Sequence, residues 1–198
     1  MQTKHLLLAA TTLTAAGAAA QMSMPRIDTR SPFQSSVEAS YGKVTSTAGD
    51  YSGSAIAARL YFYGNAYALV SRNDVTFDLA NLGAHQFAYG IGSTEAWGQG
   101  TVSASYARGK VSGDVAGVDQ NILSLGYELG LAPGLTAGLT VTHTFNAGSV
   151  KDVTATVFSA RYSLAGGISL VASYAAEDTL LAQSGAKHTW TVGARYSF

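Results

Sequence analysis

The sequence predicts an all-β fold: a closed antiparallel up-and-down transmembrane β-barrel of about 10 strands, with 8 as the alternative. Three observations carry that prediction. From Ser35 onward residues alternate with a period of two, one side apolar and the other small or polar. Short connections alternate strictly with longer ones, as when tight turns lie on one side of a membrane and loops on the other. Only 12% of the 198 residues are charged, half of the ~25% usual for a soluble domain, and the formal net charge is zero.

The N-terminal stretch MQTKHLLLAATTLTAAGAAAQ carries Lys4 and His5, an apolar run from Leu6, and Ala18-Ala19-Ala20 before Gln21. That is the layout of a secretory signal peptide, residues 1–20, with cleavage expected after Ala20. Residues 21–33, QMSMPRIDTRSPF, contain two prolines and mixed charges and read as an irregular periplasmic lead-in. The barrel is expected over 34–198 as one domain, with no linker or shift in composition inside it.

Ten alternating segments are placed at 35–44, 54–63, 66–73, 84–93, 99–108, 119–130, 135–145, 152–164, 168–177 and 187–198. In GSAIAARLYFY, Ile56, Ala58, Leu60 and Phe62 oppose Ala57, Arg59, Tyr61 and Tyr63. The third segment, NAYALVS, alternates least well. NILSLGYELG sets Leu123, Leu125, Tyr127 and Leu129 against Ser124, Gly126, Glu128 and Gly130. The clearest is LTAGLTVTHTF, where Leu135, Ala137, Leu139, Val141 and Phe145 share one face and Thr and Gly fill the other. The last, KHTWTVGARYSF, places Trp190, Val192, Tyr196 and Phe198 opposite Thr191, Gly193 and Arg195. The short links are 64–65, 93–98, 131–134 and 165–167; the longer ones are 45–53, 74–83, 109–118, 146–151 and 178–186.

A secreted soluble sandwich or small barrel also alternates, but its exposed positions should be rich in Lys, Glu, Asp and Arg. Here the polar side is mainly Ser, Thr, Gly and Ala. The apolar side ends in aromatics such as Tyr41, Phe62, Tyr106, Tyr127, Tyr162, Tyr174 and Tyr196, as the interfacial girdles of a lipid-facing wall require. Neutral charge argues against nucleic acid, and a mean hydropathy of +0.14 is low for a helical membrane protein. The absence of cysteine excludes a disulfide framework, a thiolate nucleophile and thiolate metal ligation.

The ending W-T-V-G-A-R-Y-S-F resembles the C-terminal signal of Gram-negative outer-membrane barrels, in which a final Phe and an aromatic two residues before it mark the last strand for the assembly machinery. Phe198 and Tyr196 match those positions. The chain is thus similar to small outer-membrane barrels of the outer-membrane-protein-A-like or opacity-like class. The resemblance implies a place in the cell outer membrane and partnership with the barrel-assembly machinery, outer-membrane lipids and lipopolysaccharide. Those families mostly have eight strands, and the segments counted here exceed that.

No catalytic role, cofactor or metal is expected. His85, His143 and His188 fall near outer strand ends and invite a lipid hydrolase with a histidine base. Resemblance to a lipid A deacylase would need a serine two residues after the histidine, where Phe145 and Trp190 stand instead. Asp50, Asp74, Asp78, Asp114, Asp119, Asp152 and Asp178 are scattered without metal-loop spacing and read as solvated loop charges.

Parity points Glu38, Arg59, Glu128, Arg161 and Arg195 into the lumen, each within about five residues of a periplasmic turn or chain end. Two roles stand open for this charge set. It is a salt-bridge network tying opposite walls together, or a constriction that sets selectivity in a narrow porin-like pore passing small ions or solutes. Ten strands lined by small residues should leave some water-filled space. A monomer is expected. The alternative from another class is a surface adhesion or interaction protein acting through short outer loops of about ten residues.

Overall fold

The wall is built by strands that each hydrogen-bond to the next in sequence until the last returns to the first. The computed structural model describes residues 34–46, 50–77, 82–114, 117–148, 150, 152–177 and 186–198. The signal peptide expected at 1–20 and the lead-in expected at 21–33 lie outside the described residues. The strands are β1 (Ser36–Ser46), β2 (Tyr51–Tyr63), β3 (Ala66–Phe77), β4 (Leu82–Trp97), β5 (Gly100–Gly113), β6 (Val118–Ala132), β7 (Leu135–Asn146), β8 (Val153–Ser163), β9 (Ile168–Glu177) and β10 (Ala186–Ser197). All pair antiparallel, and β10 closes on β1 in a register that sets Ser36 opposite Ser197, Glu38 opposite Arg195 and Val44 opposite Thr189. Closure leaves no sheet edge unpaired, the condition for backbone to stand in hydrocarbon. The count is ten, which removes the eight-strand alternative.

Period-two alternation translates directly into an inside and an outside. Along β6, Ile122, Ser124 and Glu128 are buried while Leu123 and Leu125 are exposed. Exposed Ile56, Leu60, Ile91, Leu139, Leu170 and Val192 continue that apolar wall around the barrel. At the end with the shorter turns it is fringed by exposed Phe62, Trp97, Tyr162, Tyr196 and Phe198. These rings are amphipathic or large enough to sit at a membrane interface.

The strands run further than their sequence patterns suggest, and this corrects the connections. β3 extends to Phe77 although its start alternates weakly, because Ser71, Asn73 and Val75 keep pointing inward. The six-residue link expected at 93–98 is strand as far as Trp97, leaving two residues before Gly100. Four connections at that end of the barrel are thus two, two, two and four residues long, against four, four, four, six and eight at the other. The asymmetry persists, but the outer connections are shorter than the ten residues expected. Ser, Gly and Thr near strand ends are as compatible with pairing as with turns, so composition placed the boundaries too early.

Candidate functional site in the lumen

All five charged residues singled out by parity are inward and buried, between 2% and 6% exposed, so none reaches bulk water. They come from the ends of β1, β2, β6, β8 and β10 that adjoin the short turns and the chain terminus. Across the seam, Arg195 donates from Nη2 and Nε to Oε2 of Glu38 at 2.7 and 3.1 Å. Arg161 donates from Nη2 to Oε2 of Glu128 at 3.1 Å and to Oγ1 of Thr136 at 3.4 Å. This second pair spans β7, whose inward position between them is Gly138. A Cβ there would stand 3.1 Å from Cγ of Glu128 and 2.5 Å from Oγ of Ser159. Glycine therefore opens the space over which the two charged side chains meet.

Arg59 is held differently. Its guanidinium lies over the Tyr67 ring, 4.4 Å from the centroid, within the range of a cation–π contact. Tyr67 is fully buried, packs 5.3 Å from the Tyr61 ring, and lies over Gly92, the inward glycine opposite it on β4. Tyr61 in turn shares a 2.9 Å hydroxyl hydrogen bond with Thr94. Sequence reasoning missed this aromatic shelf because Tyr67 lies in the weakly alternating start of β3.

The space left beside Glu38, Arg59 and Arg195 is small, while Arg161 borders a separate cavity of about 220 Å³ at the short-turn end. A cavity of about 30 Å³ is bounded by Glu38, Arg59, Arg195, Ser36, Ser71 and Ser105. That is room for one or two waters. Farther out the inward side chains fall into layers. Asn73 donates to Gln86 at 3.0 Å, Gln86 donates to Gln120, and Gln120 donates to Asn146 at 2.7 Å, a chain of amides running from β3 to β7. Toward the outer end, buried Val44, Val75, Val111, Val118 and Val153 with Tyr51 form an apolar layer. The inward positions are largely Ser, Thr and Ala, as expected, with this amide chain and the valines added among them.

The histidines stand outside the lumen. His85 is exposed and hydrogen-bonds Ser112 at 2.9 Å, His143 bonds Thr154 at 2.7 Å, and His188 stacks on Tyr174 at 6.0 Å. Asp74 is directly opposite His85 in register, so an Asp, a His and a Ser share one cross-strand row. The Asp74 carboxylate is held by Arg72 at 3.1 to 3.3 Å, and the hydrogen bond that would orient the imidazole is not made. Among the described residues no three metal-ligating side chains converge, and Asp78 and Asp178 lie outside them. At the C-terminus Tyr196 and Phe198 are outward, with rings stacked at 5.9 Å, and the Phe198 amide donates to the Ser35 carbonyl at 2.9 Å.

No family model matches the chain, and no curated protein matches it. Among solved structures it is similar to a porin refined at 1.8 Å resolution, with 23% identity and a TM-score of 0.37 over 83% of this chain and 58% of that one. It is also similar to the KdgM porin, with 11% identity and a TM-score of 0.48 over 82% of this chain and 99% of that one. The β domain of the Bordetella autotransporter BrkA matches with 14% identity and a TM-score of 0.46 over 83% and 99% of the respective chains. The chain spans about three-fifths of the length of the first porins and of OmpT of Vibrio cholerae, at 58% and 61%. Closure of the barrel stands on its own hydrogen-bonded register.

Proposed function

We propose that the chain is a monomeric outer-membrane barrel whose lumen is held shut by an Arg/Glu network at its periplasmic end, and which passes small ions when that network parts. The carrying observation is the pair of buried salt bridges across the lumen, Arg195 with Glu38 and Arg161 with Glu128, the first of which borders a cavity with room for only one or two waters. Buried ion pairs hold firmly because removing one partner strands the other charge, at about 3–5 kcal/mol. The resting role is structural: the bridges tie β1 to β10 and β6 to β8. Three arginines against two glutamates leave an excess of one positive charge, so ion flow through this constriction favours small anions.

Several features support the placement: the apolar wall, the aromatic fringe, and the terminal Tyr196 and Phe198 that would be read by the barrel-assembly machinery. Outer-membrane lipids, lipopolysaccharide among them, are the wall's partners. The adhesin alternative is weaker, since outer connections of four to eight residues offer little contact area.

The test is planar-bilayer conductance of refolded protein. Wild type should be silent or show rare small openings with mild anion preference. Arg195→Ala should conduct more often or shift toward cations, because Glu38 is then uncompensated, and should unfold at lower denaturant. A variant as silent and as stable as wild type would sink this reading.

A further inference from the structure

The outward wall carries charge at the outer edge of its apolar band. On β5 the outward residues run Ala104, Tyr106, Arg108, Lys110. Arg108 and Lys110 stand eight and ten residues beyond Gly100. With a rise of 3.3 Å per residue and a tilt near 40°, they lie about 20 and 25 Å above the periplasmic end, at the outer boundary of an apolar band about 25 Å tall. Neighbouring strands change character at the same rows. Ile91 and Leu123 flank Tyr106; one row outward, Tyr89 and Asn121 flank Arg108; the next places Phe87 and Asp119 beside Lys110.

Outward cations elsewhere on the described wall are already neutralised. Lys43 bridges Asp50 at 2.9 Å, and Arg72 bridges Asp74 at 3.1 Å. Arg108 and Lys110 have no ion-pair partner among the described residues, although Asp119 is opposite Lys110 in the sheet. Between them lies a groove of about 450 Å³ bounded by Phe87, Tyr89, Arg108, Lys110, Asp119 and Asn121. Tyr106 donates to Oδ1 of Asn121 at 2.7 Å, which leaves the Asn121 amide N–H groups as donors at the groove. Two cations against one carboxylate leave one excess positive charge there.

We propose that this groove binds a phosphate of the outer leaflet's phosphorylated glycolipid, lipopolysaccharide. Arg108 and Lys110 take the phosphate oxygens, Asn121 donates a further hydrogen bond, and Phe87 and Tyr89 pack against the adjoining sugar or acyl chain. Asp119 opposes the anion and limits affinity. The apolar row of Ile91, Tyr106 and Leu123 lies below, where acyl chains continue from the headgroup. The site names one lipid for the outer-membrane reading proposed above and rests on it.

The experiment uses the refolded full barrel in detergent, with bound lipid counted by native mass spectrometry over a titration. Probes are diphosphoryl lipid A, the same lipid with its phosphates removed, phosphatidylglycerol and inorganic phosphate. Wild type should bind diphosphoryl lipid A best. The Arg108→Ala/Lys110→Ala double variant should lose about tenfold or more in affinity, Asp119→Asn should gain, and Lys43→Ala should be unchanged. Equal binding of the dephosphorylated lipid or of phosphatidylglycerol, or a double variant that binds like wild type, would overturn the site. Tight binding of inorganic phosphate alone would overturn the lipid as the ligand. Each variant is checked for the heat-modifiable form on a gel, so failure of the barrel itself is seen separately from failure of the site.

Discussion

Gly92 shows how tightly one residue is tied to the closed lumen. It faces inward on β4, and a Cβ there would meet Cζ of Tyr67 at 2.4 Å and the Ala104 carbonyl at 2.6 Å. The first contact is with a ring that carries Arg59, and the second is backbone that no rotamer relieves. Gly92→Ala is expected to lower stability by about 1–3 kcal/mol through overpacking, read as an earlier denaturant midpoint in detergent. Tyr67→Ala is itself destabilising, but in that background the Gly92→Ala loss should shrink, because the ring contact disappears while the carbonyl contact stays. If the two losses simply add, Tyr67 does not occupy the space above Gly92. The signal for this contact in the sequence is faint: an inward glycine in a strand means close approach of something, without saying what.

Among the elements, β10 has the special duty of closing the sheet. Its register against β1 brings Arg195 opposite Glu38 on the inside and leaves Tyr196 and Phe198 stacked on the outside. Phe198 adds a single hydrogen bond, from its amide to the Ser35 carbonyl, so its removal costs the finished barrel little. Deleting Phe198 is therefore expected to reduce delivery into the outer membrane several-fold while leaving secretion across the inner membrane and the stability of refolded barrel nearly unchanged. Counting heat-modifiable protein in outer-membrane fractions, beside refolding in vitro, tests both halves. Equal loss in both would make Phe198 a packing residue and not an assembly signal.

The molecule as a whole resists opening because every described strand is paired on both sides. Unfolding has no free edge from which to start, and in lipid each exposed amide is costly. Refolded protein should give a β-rich spectrum, need detergent for solubility, and migrate differently before and after boiling. Protein isolated from outer membranes should begin at Gln21. A helical spectrum, solubility without detergent, or retention of Met1 would each break one part of this picture.

Alternation by two, the small polar side and the sparse charge determined by themselves that the chain forms a closed antiparallel wall of about ten strands with Glu38, Arg59, Glu128, Arg161 and Arg195 inside; the structure fixed the count at ten. Parity is a local property: once a strand is assumed, each side chain's face follows. The meeting of Glu38 and Arg195 was also legible, because closure makes the first and last strands neighbours. The tertiary structure alone decided that Arg161 reaches Glu128 over Gly138, that Arg59 rests on Tyr67, and that four amides from β3 to β7 join in one hydrogen-bonded chain. It also decided that Arg108 and Lys110 border one groove at the outer edge of the wall. Such partners lie on different strands and meet through the register and stagger of the whole barrel. No local pattern encodes that stagger, since it is settled only when ten strands close together and their side chains compete for one interior.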